Sequence, residues 1–161
     1  LSRNALLQRP PLGFFRDFVL MQHSTDNSTN NSTNKSEAKR KEQGENRDTL
    51  DLKHSGISPI VDLARVYALA EGVNAVNTIE RLKQVAGSPS LSQTSAKSLL
   101  DAFEFLGSLR ITHQAKQITA HQSPDNYLAP KDISTLEREH LKDAFKVVKM
   151  LQQALKSLVN R

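Results

Sequence analysis

The sequence contains no cysteine. Disulfides, thiolate metal sites and a cysteine nucleophile are therefore excluded. It also lacks any apolar run of the roughly 18–20 residues that a membrane span needs. No basic stretch followed by an apolar one stands at its start, as a secretory leader would require. Those two absences give a cytoplasmic protein as the expectation, without a membrane partner. Aromatic residues are scarce, six Phe and two Tyr. They fall mostly at core-like positions, which leaves little for a base-stacking surface. The 22 Lys and Arg against 17 Asp and Glu leave a net charge of +5. That excess is mild and not gathered in a stripe, so nucleic acid is not an expected partner. Phosphate-loop, GxGxxG, GxSxG and HExxH motifs are all missing. His113 and His121 are eight apart, and no carboxylate stands three or four residues from His113, so no zinc spacing is present and no metal site is expected.

What is present is organised around Leu50 to Gly72. Thr49-Leu50-Asp51-Leu52-Lys53 alternates and predicts a short strand, followed by a turn at His54-Ser55-Gly56. Ser58 and Pro59 then read as N-cap and first position of a helix. From Ile60 to Ala70 this helix is apolar on nearly every side, with only Asp62 and Arg65 charged. Such a helix is expected at the centre of its domain.

The 161 residues favour one domain. Leu1 to Gln8 predicts a short helical piece, the end of a connection from a preceding domain. The chain starts on Leu, which reads as a piece of a longer protein. Arg9-Pro10-Pro11 breaks that helix, and Phe14 to Leu20 predicts a strand that pairs with Thr49 to Lys53. His23 to Asp48 is Ser/Thr/Asn-rich and then mixed in charge, with almost no apolar residue. It cannot repay the entropy of ordering and reads as a disordered insert in the hairpin. Gly72 supplies a left-handed cap for the central helix. Asn77 with Glu80 opens a second helix that ends near Ala86. A third runs from about Ser92 to His121, its apolar stripe of Leu99, Phe103 and Leu106 giving way to Arg110, His113 and Gln117. The stretch Ser123 to Pro130 is an extended connector. Ser134 and Glu137 form a capping box for a last amphipathic helix, to about Val159. The fold class is all-α, an antiparallel up-and-down bundle of four main helices with a small N-terminal β-hairpin.

Three groups of polar residues are candidates. Asp62 and Arg65, three apart, form either a local ion pair or a ligand-positioning pair facing a cleft. Asp51 and Lys53 alternate on the predicted strand and share a face. That face is either plain solvent-facing hairpin or a fixed pair of charges near the next helix start, where anions collect. Arg110, His113 and Gln117 are either hydrogen-bonded structural residues or one wall of a polar groove.

Several segments together resemble one bacterial family: RPPLGFFRDFVL (Arg9 to Leu20), TLDLKHSGISPIVDLARVYAL (Thr49 to Leu69), LLDAFEFLGSLRITHQ (Leu99 to Gln114), PDNY (Pro124 to Tyr127) and LEREHLKDAFKVV (Leu136 to Val148). They are similar to the C-terminal helical, substrate-binding-type domain of nucleotidyltransferase signalling proteins. In that family cyclic-nucleotide-binding and CBS modules often precede the nucleotidyltransferase domain. The arrangement is also similar to the uridylyl- and adenylyltransferases of nitrogen regulation. The resemblance covers most of the chain except His23 to Asp48, an insert longer than the family's hairpin loop.

The resemblance implies a catalytic domain in cis, with magnesium and a nucleoside triphosphate as its cofactor and substrate. The Gly-Ser and paired carboxylates of such a domain are missing here, so catalysis by this stretch alone is not expected. By the same resemblance, Asp51, Lys53, Gly56, Asp62 and Arg65 match a DLK-xx-G-xxPxxDxAR pattern. Lys53 and Arg65 become candidates for nucleotide phosphate or an acidic protein substrate. Arg110, His113 and Asn126 line the same groove or brace its connector. Two functions follow. A positioning domain predicts Lys53, Asp62 and Arg65 in one open groove with Arg110 and His113. A helical interaction module that relays signals between domains predicts internally paired charges and an exposed apolar patch.

Overall fold

The structure, a computed structural model, describes residues 2–7 and 49–159. Among the described residues the elements are five helices and a two-stranded sheet: α1 (Ser2–Leu7), β1 (Leu50–Asp51), a π-helical turn (Leu52–Ile57), α2 (Ser58–Ala70), α3 (Thr78–Val85), α4 (Gln93–Thr119), β2 (Tyr127–Leu128), a 3₁₀ turn (Pro130–Asp132) and α5 (Thr135–Val159). The all-α bundle with a small antiparallel sheet is as expected. The predicted strand Phe14 to Leu20 and the insert His23 to Asp48 lie outside the described residues.

Helix α2 is the hub. It packs against α1, α3, α5 and the π-helical turn. Pro59, Ile60, Leu63, Ala64, Val66, Tyr67 and Ala68 are all buried. Each large side chain among them is worth about 1.5–3 kcal/mol of burial. Tyr67 is inserted fully, and its hydroxyl donates to the Leu151 carbonyl of α5 at 3.4 Å. Burial pushes the Tyr67 phenol pKa up, which keeps it a neutral donor.

The strand before α2 is shorter than expected. The ladder covers Leu50 and Asp51 only, paired antiparallel with Leu128 and Tyr127. Among the described residues its partner is thus the connector after α4. Past Asp51 the chain coils, because the Asp51 carboxylate accepts from the amides of Lys53 and His54 at 3.0 and 2.9 Å. This is an N-cap in geometry. Ser58 is therefore not a cap: it is already helical, and its amide donates five residues back to the Lys53 carbonyl. The capping role has moved seven residues earlier, to Asp51.

The other helix ends follow the local code. Gly72 is left-handed (φ 67°), and the Val73 amide closes back on the Ala68 carbonyl at 2.8 Å, a Schellman ending. Asn77 caps α3 through the amides of Ile79 and Glu80. Ser92 caps α4. Ser134 and Glu137 exchange reciprocal hydrogen bonds at 2.7 and 3.2 Å. Helix α4 ends like α2, with Gln122 donating to the Gln117 carbonyl, but the left-handed position is His121 (φ 55°).

Helices α4 and α5 form the other large contact. Ala96, Leu99, Ala102, Leu106 and Leu109 of α4 are buried. So are Leu141, Ala144, Phe145, Val148, Leu151 and Leu155 of α5. Helix α1 joins this core: Ala5 is fully buried, and Gln152, itself buried, donates to the Ala5 carbonyl at 2.7 Å. Gly56 lets the π-helical turn approach α4. A Cβ there would meet both Leu106 methyls at 3.3 Å and Phe145 at 3.7 Å.

Two stability predictions follow. Gly56→Val overpacks this contact and should cost about 1–3 kcal/mol by urea denaturation. His121→Gly relieves a left-handed residue that bears a Cβ and should stabilise by about 1 kcal/mol in the same assay.

Candidate functional site

The polar half of α4 builds the most elaborate hydrogen-bonded cluster among the described residues. Arg110, His113, Gln114 and Gln117 recur at helical spacing, so they share one face. All four engage the connector. Arg110 Nε donates to Asn126 Oδ1. Gln114 Nε2 donates to the Asp125 carbonyl at 3.1 Å and reaches Asn126 Oδ1 at 3.4 Å. His113 Nε2 lies 3.2 Å from Asp125 Oδ1, with the His113 side chain largely buried. Gln117 Oε1 accepts from the Asp125 amide at 2.9 Å. Asp125 folds back to accept from the Tyr127 amide at 2.9 Å, an Asx-type turn.

This cluster is a strap. It fixes Asp125 and Asn126, and the Asn126 carbonyl accepts from the Leu52 amide at 2.9 Å. Tyr127 and Leu128 then pair with Asp51 and Leu50. The polar face of α4 therefore positions β2, β2 positions β1, and β1 presents Asp51 to the turn that starts α2. Arg110, His113 and Asn126 are brought together as a brace for the connector.

The Asp51 and Lys53 expectation needs correcting. They do not share a strand face, because Lys53 lies in the π-helical turn. Asp51 Oδ2 sits 2.8 Å from His54 Nδ1 as well as capping the turn. Partial burial alone would raise the Asp51 pKa, but the hydrogen bonds from the His54 amide and ring outweigh it, and the net direction is down. The anion at this helix start is thus the chain's own carboxylate. Lys53 is exposed and has no ion-pair partner among the described residues.

Asp62 and Arg65 do form the i,i+3 pair, at 3.6 Å through a single guanidinium nitrogen. Asp62 is mostly buried, while the Arg65 side chain stays 48% exposed. Such a half-exposed pair is worth at most about 1 kcal/mol. Arg65 also lines a shallow cavity with Ala68, Leu69, Asn74, Val76 and Arg81. The sequence reading missed Gln114, Asp125, His54 and Arg81. Gln114 was findable from its i+4 spacing to Arg110, and His54 from its i+3 spacing to Asp51; Asp125 and Arg81 depended on which segments meet.

Among the described residues, no three His, Asp or Glu side chains cluster to hold a metal ion. No described helix is long and apolar enough to cross a membrane. A family model described as "Putative nucleotidyltransferase substrate binding domain" matches residues 34–159. The chain belongs to this family. No curated protein and no solved structure matches it significantly. The family's printed description is of a substrate-binding rather than a catalytic domain, in keeping with a chain that has no paired catalytic carboxylates.

Among the described residues four carboxylates carry the pH dependence: Asp51, Asp125, Glu137 and Glu71, the last lowered by its hydrogen bonding to Ser90. Hydrogen bonding to the charged form lowers Asp51 and Asp125 against the opposing effect of burial, and the Ser134 amide lowers Glu137. A carboxylate with a lowered folded pKa stabilises above its unfolded value, and the gain is lost as pH falls through the folded value. Their ordinary values are 3.8 for Asp and 4.5 for Glu. The urea midpoint should therefore drop as pH falls below about 4. Asp125→Asn should lower the midpoint at neutral pH and flatten that acid drop.

Proposed function

We propose that this chain is the non-catalytic, substrate-positioning helical domain of a multidomain nucleotidyltransferase. It works in cis beside a catalytic domain that carries the magnesium and the nucleoside triphosphate. The observation that carries this reading is the family match across residues 34–159. Two features support it. Lys53 and Arg65 keep exposed positive charge, placed by a turn and a helix that the rest of the fold holds rigid. Cations so placed favour a phosphate or an acidic protein substrate. Among the described residues no set of His, Asp and Glu side chains is grouped to hold a metal.

A second reading is favoured by a different observation. Arg110 and His113 are consumed by the connector, and α4 exposes Ile111, on an open cavity that also includes Ala115, and Ile118 further along the helix. Internally satisfied charges beside exposed apolar side chains suit an interaction module that relays signals between domains.

Nucleotidyl transfer, assayed with the catalytic domain in cis, separates the two. Under the positioning reading, Lys53→Ala should raise KM about tenfold while kcat changes less than about twofold, the pattern of lost uniform binding. Unchanged KM and kcat in Lys53→Ala, with regulation lost in Ile118→Glu, would favour the relay.

A further inference from the structure

Two arginines from different helices line one cavity. Arg65 comes from the C-terminal half of α2 and Arg81 from α3, and the loop between those helices forms the rest of the wall. Arg81 is partly buried and held: its Nε donates to the Ala75 carbonyl at 2.8 Å. That bond leaves its two terminal nitrogens with no acceptor of their own among the described hydrogen bonds. Arg65 spends one nitrogen on Asp62, at the long distance of 3.6 Å. One carboxylate thus stands against two guanidiniums, and two like charges are held around one cavity with a net positive remainder. No carboxylate is among the lining residues.

The loop is built before any ligand arrives. Gly72 closes α2 in the left-handed conformation, the Val73 amide returns to Ala68, and Asn77 caps α3. Both ends of the Val73 to Val76 segment are therefore fixed, so little ordering entropy is left to lose on binding. Apolar surface borders the charge: Leu69 is 62% and Val76 86% exposed. An arginine fork presents two parallel donors, the match for an oxyanion.

We infer that the Arg65–Arg81 cavity binds the phosphate of a small phosphorylated ligand, whose apolar portion rests on Leu69 and Val76. This deepens the positioning reading and rests on it for the class of ligand, but the site makes its own claim about binding.

The test is calorimetry on the full 161-residue chain with inorganic pyrophosphate and with ATP, and a poly-glutamate peptide as the competing acidic source. Both phosphate probes should bind, ATP more tightly because it adds apolar contact. Arg65→Gln and Arg81→Gln should each weaken binding by about tenfold or more, and Arg81→Lys should weaken it less than Arg81→Gln. Arg81→Gln also removes the bond to Ala75 and could loosen the loop. Arg65→Gln leaves that bond in place and keeps the proposal falsifiable. No binding of either phosphate probe, equal binding by Arg65→Gln, or binding of the peptide alone would overturn it. Because the readout is binding by this chain alone, its failure is separable from that of the positioning reading, which is judged by KM with the catalytic domain attached.

Discussion

The start of helix α2 is the constraint on which the rest depends. An apolar helix packed on several sides needs a fixed starting point, and the first amides of the turn that leads into it have no partner within the turn, so they need an acceptor. Asp51 meets the need by accepting from Lys53 and His54. The π-helical turn then carries the hydrogen-bonded backbone without a break into Ser58. A wider turn has a use here, since it carries Gly56 close to Leu106 and Phe145. The cap can work only if Asp51 is held, and it is held by a strand only two residues long.

So short a ladder is not stable alone. Its partner β2 is kept in register by the polar face of α4, through Arg110, His113, Gln114 and Gln117 on Asp125 and Asn126. The long helix has two tasks along its length. Its N-terminal half buries a hydrophobic stripe on α5, and its C-terminal half holds the connector that closes the sheet. This division accounts for the change from apolar to polar along one face. It also bears on function: side chains spent on the connector are not open to a ligand, whereas Lys53, Arg65 and Arg81 retain donors.

Much of this was legible locally. Helix ends were readable because caps are short-range chemistry: Gly72, Asn77, Ser92, Ser134 and Glu137 act within a few residues of themselves. The buried faces of α2 and α5 were readable from apolar spacing. The strand Thr49 to Lys53 was over-extended, because alternation alone does not reveal that Asp51 will cap the following amides and end the ladder. Ser58-Pro59 has the local form of a helix start, and only the preceding turn shows that the helix is already running. The site was half legible. Arg110 and His113 stood out as polar residues on an apolar stripe, yet their partner Asp125 lies in a connector whose path is set by tertiary packing.

By itself, the sequence determined the helical class, the central place of Ser58–Ala70 and the caps at Gly72, Asn77 and Ser134, because these depend on spacing and on contacts within a few residues; the family resemblance rested on whole segments of sequence. Tertiary structure alone decided that β1 pairs with the connector, that the polar face of α4 is a brace, and that Arg65 and Arg81 share a cavity. Each joins residues of different elements, beyond the reach of a helical turn or a cap. Such pairings follow from which surfaces are left to bury once the helices have formed, a property of the packed whole rather than of any local pattern.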